Sequence, residues 1–181
     1  NKYVVINASG HETSEWHLID ADDQKGTPNC VAARISGHEY SIEERDGTLY
    51  ILTNKDEAED FKIVTTPVEQ TAMENWKDLI DHQPGRLIID INVFADFMVH
   101  LERENGLPRI VIRDLESNSS HAIAFDEEAY SLGLSSGYEF KTDLIRFTYS
   151  SMTTPAQIFD YNMRSKERVL RKTQEVPSRS E

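Results

Sequence analysis

Only one cysteine, Cys30, occurs in the 181 residues, so no disulfide can form within the chain. A lone thiol fits a reducing compartment, and a cytoplasmic location is the expectation. No activating pattern surrounds Cys30, which reads as a small apolar filler beside Val31 rather than a nucleophile. Basic residues are scarce too, 19 against 32 acidic, for a formal net charge of −13. That sign argues against a sequence-independent nucleic-acid binder, which needs the opposite charge. An acidic surface could favour cationic peptides, although solubility alone accounts for it. Long apolar runs are missing as well. Leu87-Ile88-Ile89 is broken by charge within a few residues, so no stretch is long enough to span a bilayer and no membrane partner is expected. Nor is there a secretory leader, because Asn1-Lys2-Tyr3-Val4-Val5-Ile6 reads directly as a strand. With no starting methionine, the chain is expected to be a trimmed piece of a longer protein, whose own leader it leaves undetermined.

What is present is alternation. Apolar residues recur at every second position through most of the chain, with little helical spacing. Strands are predicted over Tyr3–Asn7, Glu15–Ile19, Ala32–Ile35, Glu39–Glu44, Leu49–Thr53, Phe61–Thr65, Leu87–Phe94 and Phe97–Glu102. They continue over Arg109–Asp114, His121–Phe125, Tyr130–Leu134, Leu144–Tyr149, Gln157–Tyr161 and Arg168–Lys172. Helical turns are expected only around Asp56–Glu59 and Val68–Trp76. Asp46-Gly47 between two such strands is a specific hairpin signal. Gly106-Leu107-Pro108 and Thr154-Pro155 are read as turns in which proline opens the next strand.

Many short antiparallel strands mean a sandwich, a barrel or a propeller, and a repeat separates these. One strand pair recurs four times: Lys2–Ile6 with Trp16–Asp20, Leu49–Leu52 with Phe61–Val64, Phe97–Leu101 with Ile110–Asp114, and Ile145–Thr148 with Ile158–Tyr161. The first members start near positions 2, 49, 97 and 145, a period that suits a four-stranded propeller blade. The expected fold is therefore all-β, a partial β-propeller of about four four-stranded antiparallel blades, the first lacking its inner strand. The blades are placed at about 1–36, 37–82, 83–125 and 126–177, with 178–181 as a tail. Each would need neighbours to cover its faces.

Chemistry is sparse. Gly133-Leu134-Ser135-Ser136-Gly137 obeys G-x-S-x-G, but that motif works only where a buried parallel strand turns sharply into a helix. Here another strand follows, and no histidine lies downstream of Ser135, so the serine is read as a decoy. His11, His17, His38, His82, His100 and His121 form no H-x-x-x-H pair and keep no short ligand spacing with cysteine. His17 and His100 are expected to be packed or surface residues. Asp20–Asp23 and Asp56–Asp60 lack the glycine and terminal glutamate of a calcium loop and are read as solvated turns. Asn7-Ala8-Ser9 and Asn118-Ser119-Ser120 have the form of glycosylation acceptors only. No Gly-rich phosphate loop occurs. No catalytic, cofactor-binding or metal residue is therefore assigned, and no cofactor is expected.

Several stretches nevertheless carry a resemblance: Trp16–Ile19, Tyr50–Asp56, Phe61–Val64, Asn75–Ile80, Leu101–Pro108, Arg146–Pro155 and the exit Gln174–Pro177, the last two being the most specific. Over essentially its whole length the chain resembles the propeller domain of the prolyl oligopeptidase family, and within it the oligopeptidase B (protease II) branch. The resemblance implies a seven-bladed propeller capping an α/β-hydrolase domain that carries a Ser-Asp-His triad. It further implies cleavage of short peptides after Arg or Lys, with the propeller excluding folded proteins. The chain would be roughly the C-terminal half of the propeller, with the hydrolase domain of the same polypeptide absent. No position here matches the triad motifs, and Ser178–Glu181 departs from the expected continuation.

Two function classes follow. One is a non-catalytic propeller fragment of a serine oligopeptidase, gating access for peptide substrates. The alternative is a stand-alone β-propeller interaction module. A fragment with two open blade faces would be prone to dimerise through them, whereas a closed four-bladed module would be monomeric. A hydrolase using Ser135 is the remote third option.

Overall fold

The computed structural model describes residues 2–135 and 139–175. They form fifteen strands in four antiparallel sheets, with one short 3-10 turn at Met73–Asn75. The first sheet, in the order β1-β2-β3, comprises β1 (Tyr3–Asn7), β2 (Trp16–Asp20) and β3 (Asn29–Cys30). The second holds β4 (Tyr40–Arg45), β5 (Thr48–Thr53), β6 (Lys62–Pro67) and β7 (Lys77–Ile80) in sequence order. The third holds β8 (Arg86–Val93), β9 (Phe97–Glu104), β10 (Leu107–Asp114) and β11 (Ser120–Ala122). The fourth holds β12 (Tyr130–Leu134), β13 (Leu144–Ser151), β14 (Gln157–Asn162) and β15 (Arg168–Thr173). Three sheets thus have four strands and the first has three. The recurring pair of the sequence is β1/β2, β5/β6, β9/β10 and β13/β14, each antiparallel and adjacent.

The chain divides into two compact units, Asn1–Ile88 and Ile89–Glu181. In the first, the core gathers Leu18, Val31, Tyr40, Ile42, Leu49, Ile51 and Val64, with Trp16 and Trp76 packed against it. Tyr40 ties the two sheets of this unit together. Its hydroxyl donates to the Ala32 carbonyl at 2.7 Å and accepts from the Trp16 and Ala32 amides. In the second unit the core is Phe97, Val99, Ile110, Ile112, Ile145, Phe147 and their neighbours. These residues alternate along their strands, as a pleated sheet with one face in a core requires.

Two-residue turns close two of the hairpins. Asp46 and Gly47 both take positive φ (47° and 82°), as do Asn105 and Gly106 (51° and 79°), the twist-matched turn in which Asn-Gly and Asp-Gly are favoured. The second pair corrects the turn expected at Gly106-Leu107-Pro108. Leu107 and Pro108 already belong to β10, opposite Glu104 and Arg103. The strand expected at Ala32–Ile35 is also absent. Val31 and Ala32 are buried in the core (2% and 7% exposed) as loop residues, so their apolar run imitates a strand, and the strand falls at Asn29–Cys30. A strand not foreseen, β7, runs through the charged, exposed Lys77-Asp78. It has no apolar rhythm because this sheet edge, paired only to β6, sends none of its side chains into a core.

Candidate functional site

The turn from β13 to β14 carries an organised polar network. Ser151 donates its amide to the Thr154 carbonyl at 3.0 Å. The Ser151 hydroxyl accepts from the amides of Thr153 (3.1 Å) and Thr154 (2.9 Å), so the turn is closed by its own side chain. Into this turn reaches Glu127, from the connection between β11 and β12. Its Oε1 accepts from the hydroxyls of Thr153 (2.7 Å) and Thr154 (2.9 Å), and its Oε2 accepts from the Tyr149 hydroxyl. Hydrogen bonds from the Ser151, Tyr149, Thr153 and Thr154 side chains favour the charged carboxylate and hold Glu127 down at about 2. Burial, and then the Glu127 carboxylate, push Tyr149 up to about 12. The Tyr149 ring stacks on Phe125 at 4.9 Å, and the Arg168 guanidinium lies 5.0 Å over Phe125. A carboxylate ionised at every ordinary pH is a poor proton shuttle. This one works as a clasp that fastens the connection before the fourth sheet to the turn within it.

A second network lies on β9 and β10. His100 and Glu102 are 3% and 4% exposed, and His100 Nε2 sits 3.0 Å from Glu102 Oε2. Arg109 donates from Nε to Glu102 Oε1 at 3.0 Å and from its terminal nitrogen to Glu104 at 2.6 Å. A histidine beside a carboxylate is half of a nucleophilic triad, but no hydroxyl or thiol is hydrogen-bonded to this histidine among the described residues. Packing and ion pairing account for it. His38 does meet a hydroxyl, Thr53 Oγ1 at 2.9 Å, yet Thr53 is fully buried and out of reach of a substrate. Burial lowers the His38 pKa and keeps the ring neutral.

Ser135 directly follows β12, an antiparallel strand that ends at Leu134, and its amide donates to the Arg146 carbonyl at 3.0 Å. The two later members of its motif, Ser136 and Gly137, lie outside the described residues. The strand before Ser135 pairs antiparallel with β13 and is not the buried parallel strand that a nucleophile elbow requires. His11 is exposed, His121 meets the Tyr161 hydroxyl at 2.9 Å, and His82 approaches Asp60 at 4.0 Å. Asp20 and Asp23 accept backbone amides of their own loop, and Asp56 pairs with Lys55 and Lys62, so both acidic runs serve as turns. Asn7 ends β1, and Asn118 takes a positive φ in the turn before β11. One constellation escaped the sequence reading. Glu15, His17 and Cys30 bring a ligand atom each within 4.8 Å of one another. His17 and Cys30 are thirteen positions apart and meet only because β2 and β3 pair in that register.

The comparison with known proteins bears on what these features serve. The family profile described as "Prolyl oligopeptidase, N-terminal beta-propeller domain" matches residues 1–174. The chain belongs to that family. Its sheets are accordingly propeller blades, and the clasp and ionic network lie within a propeller. Among relatives, a dipeptidyl aminopeptidase BI of Pseudoxanthomonas mexicana is 34% identical over 98% of this chain and 24% of its own length. Protease 2 of Moraxella lacunata is 28% identical over 92% of this chain and 24% of its own length. The solved structure of oligopeptidase B from Trypanosoma brucei, with covalently bound antipain, superposes with a TM-score of 0.89 at 32% identity, covering 99% of this chain and 27% of that one. The expected resemblance to oligopeptidase B is thereby upheld. The chain spans about a quarter of the length of these relatives. Exit residues Val176-Pro177 and the tail Ser178–Glu181 lie outside the described residues.

Proposed function

We propose that this chain is a propeller segment of an oligopeptidase B-like serine peptidase that cleaves short peptides after Arg or Lys. By itself the segment is non-catalytic. It restricts substrate access to an α/β-hydrolase domain of the same polypeptide, which supplies the nucleophile, base and acid. The parent is a serine-type endopeptidase that acts on peptides in the cytoplasm, with no nucleic-acid or membrane partner. Isolated, the segment dimerises through its open blade faces.

The observation that carries this reading is the near-complete superposition on the propeller of an oligopeptidase B at 32% identity. The chemistry of the segment is consistent with it. Ser135 directly follows an antiparallel strand, no hydroxyl or thiol is hydrogen-bonded to His100 among the described residues, and Glu127 is locked as a carboxylate. A gate, unlike a catalyst, needs rigidity more than reactive groups. Rigid blades with fastened turns let a short peptide pass and stop a folded domain.

The test is a length series of substrates, each with one Arg-X bond, given to the full polypeptide. The proposal expects rapid hydrolysis of short peptides, a steep fall with length, and no cleavage of a folded protein carrying the same bond. Equal cleavage of peptide and folded protein would remove the gating role. Cleavage indifferent to Arg or Lys would remove the specificity.

A further inference from the structure

We propose that Glu15, His17 and Cys30 form a metal site of the zinc type on the first sheet. His17 on β2 stands directly opposite Cys30 on β3, and Glu15 precedes His17 by two residues. Alternate residues of an extended chain share a face, so the three side chains converge on one side of the sheet. Their ligand atoms already lie within 4.8 Å of one another. Ligands of a tetrahedral zinc stand about 3.6 Å apart, given metal–ligand bonds of roughly 2.1 to 2.3 Å, so small side-chain adjustments would close the set.

Other observations support a ligand here. His17 Nδ1 is buried without a hydrogen-bond partner, a condition that calls for an explanation in a folded protein. Glu15 is held in place, with Oε1 2.9 Å from His17 Nε2 and Oε2 accepting the Arg34 amide at 3.2 Å. The Arg34 guanidinium, the nearby cation, is tied to the Ala8 carbonyl. The side chains of His17 and Glu15 keep 24% and 28% exposure, so an ion can reach them.

The donor set selects the ion. One thiolate sulfur, one imidazole nitrogen and one carboxylate oxygen suit Zn²⁺ and its neighbours, and the soft sulfur disfavours Mg²⁺ and Ca²⁺. Three protein ligands leave a fourth position for water. On binding, the Cys30 S–H bond is replaced by an S–metal bond and the proton leaves to solvent, with no change in oxidation state. The consequence is mechanical. β3 is only two residues long, and the ion would pin it to β2.

Alkylation of Cys30 by iodoacetamide in the full polypeptide, followed by mass spectrometry of the Cys30 peptide, tests this with Zn²⁺ alone as the probe. Stoichiometric Zn²⁺ is expected to slow the alkylation, and a chelator to restore it. His17→Ala should weaken the protection by more than the about 10- to 100-fold that loss of an outer hydrogen-bond partner costs a metal site. Glu15→Gln, which preserves size and polarity, should weaken it as well and guards against an unfolded alanine variant. Alkylation unchanged by Zn²⁺ would overturn the proposal. So would protection that persists undiminished in a folded Glu15→Gln or His17→Ala protein.

Discussion

β1 and β5 begin successive repeats of the same unit, yet β1 lies open to solvent while β5 is sealed. Both are short and apolar: Tyr-Val-Val-Ile-Asn against Thr-Leu-Tyr-Ile-Leu-Thr. Val4, Val5 and Ile6 are 42–52% exposed, whereas Leu49 and Ile51 are 0% exposed. The difference lies in their neighbours. β5 is flanked by β4 and β6, and its side chains enter the first unit's core, while β1 pairs only with β2. Apolar content therefore says that a segment is a strand, and a core packed against its faces decides whether it is buried.

The sharpest way to break the comparison is to truncate both strands equally. Leu49→Ala should cost about 2–5 kcal/mol, because it removes buried methyl groups and leaves a cavity. Val5→Ala should stay within about 0.5 kcal/mol, as an exposed substitution does. Urea unfolding of the two variants side by side would show whether the gap exists. Equal losses would mean that β1 is covered in solution.

Extending the comparison to β9, the equivalent strand of the third sheet, gives an intermediate effect. Glu102→Ala strands the buried His100 Nε2 and leaves Arg109 with Glu104 alone, and is expected to destabilise by about 1–3 kcal/mol. Glu102→Gln should recover part of that loss in the same unfolding measurement.

On β13, in the fourth sheet, the comparison becomes one of pH. The Glu127 carboxyl lies at about 2 in the folded chain, against an ordinary value of 4.5. A depressed acid stabilises the fold fully above the unfolded value, and that stabilisation is lost as pH falls through 4.5 towards about 2. Glu127→Gln should therefore lower the denaturation midpoint at neutral pH and flatten its decline on acidification. Parallel pH profiles for the two proteins would remove the clasp from the account. The smallest effect of all is expected at Met152, 98% exposed at the tip of that turn, where alanine should leave the midpoint unchanged.

The parts of this picture that could be read in the sequence are the local ones. Alternation alone delimits β1 and β12 at their observed bounds, and Asp46-Gly47 announces its hairpin because positive φ at both positions is a local demand. β7 was hidden because an exposed edge strand has no reason to alternate. Asn29–Cys30 was masked by Val31-Ala32, whose burial comes from packing near Tyr40 rather than from pairing. The sites were less legible than the fold. The Tyr149–Pro155 motif stood out, but its partner Glu127 lies 22 positions before Tyr149 and joins it only through the turn. Glu15, His17 and Cys30 are brought together by the register of β2 on β3, which no spacing rule encodes.

The central claim is that this propeller segment serves a peptidase without supplying its catalytic groups. Hydrolysis of a short Arg-containing peptide should be assayed with the isolated chain, the full polypeptide and the full polypeptide carrying Ser135→Ala. The account predicts no turnover by the isolated chain and undiminished turnover by the Ser135→Ala enzyme. Turnover by the isolated chain, or its loss in the full polypeptide on substituting Ser135, would contradict it.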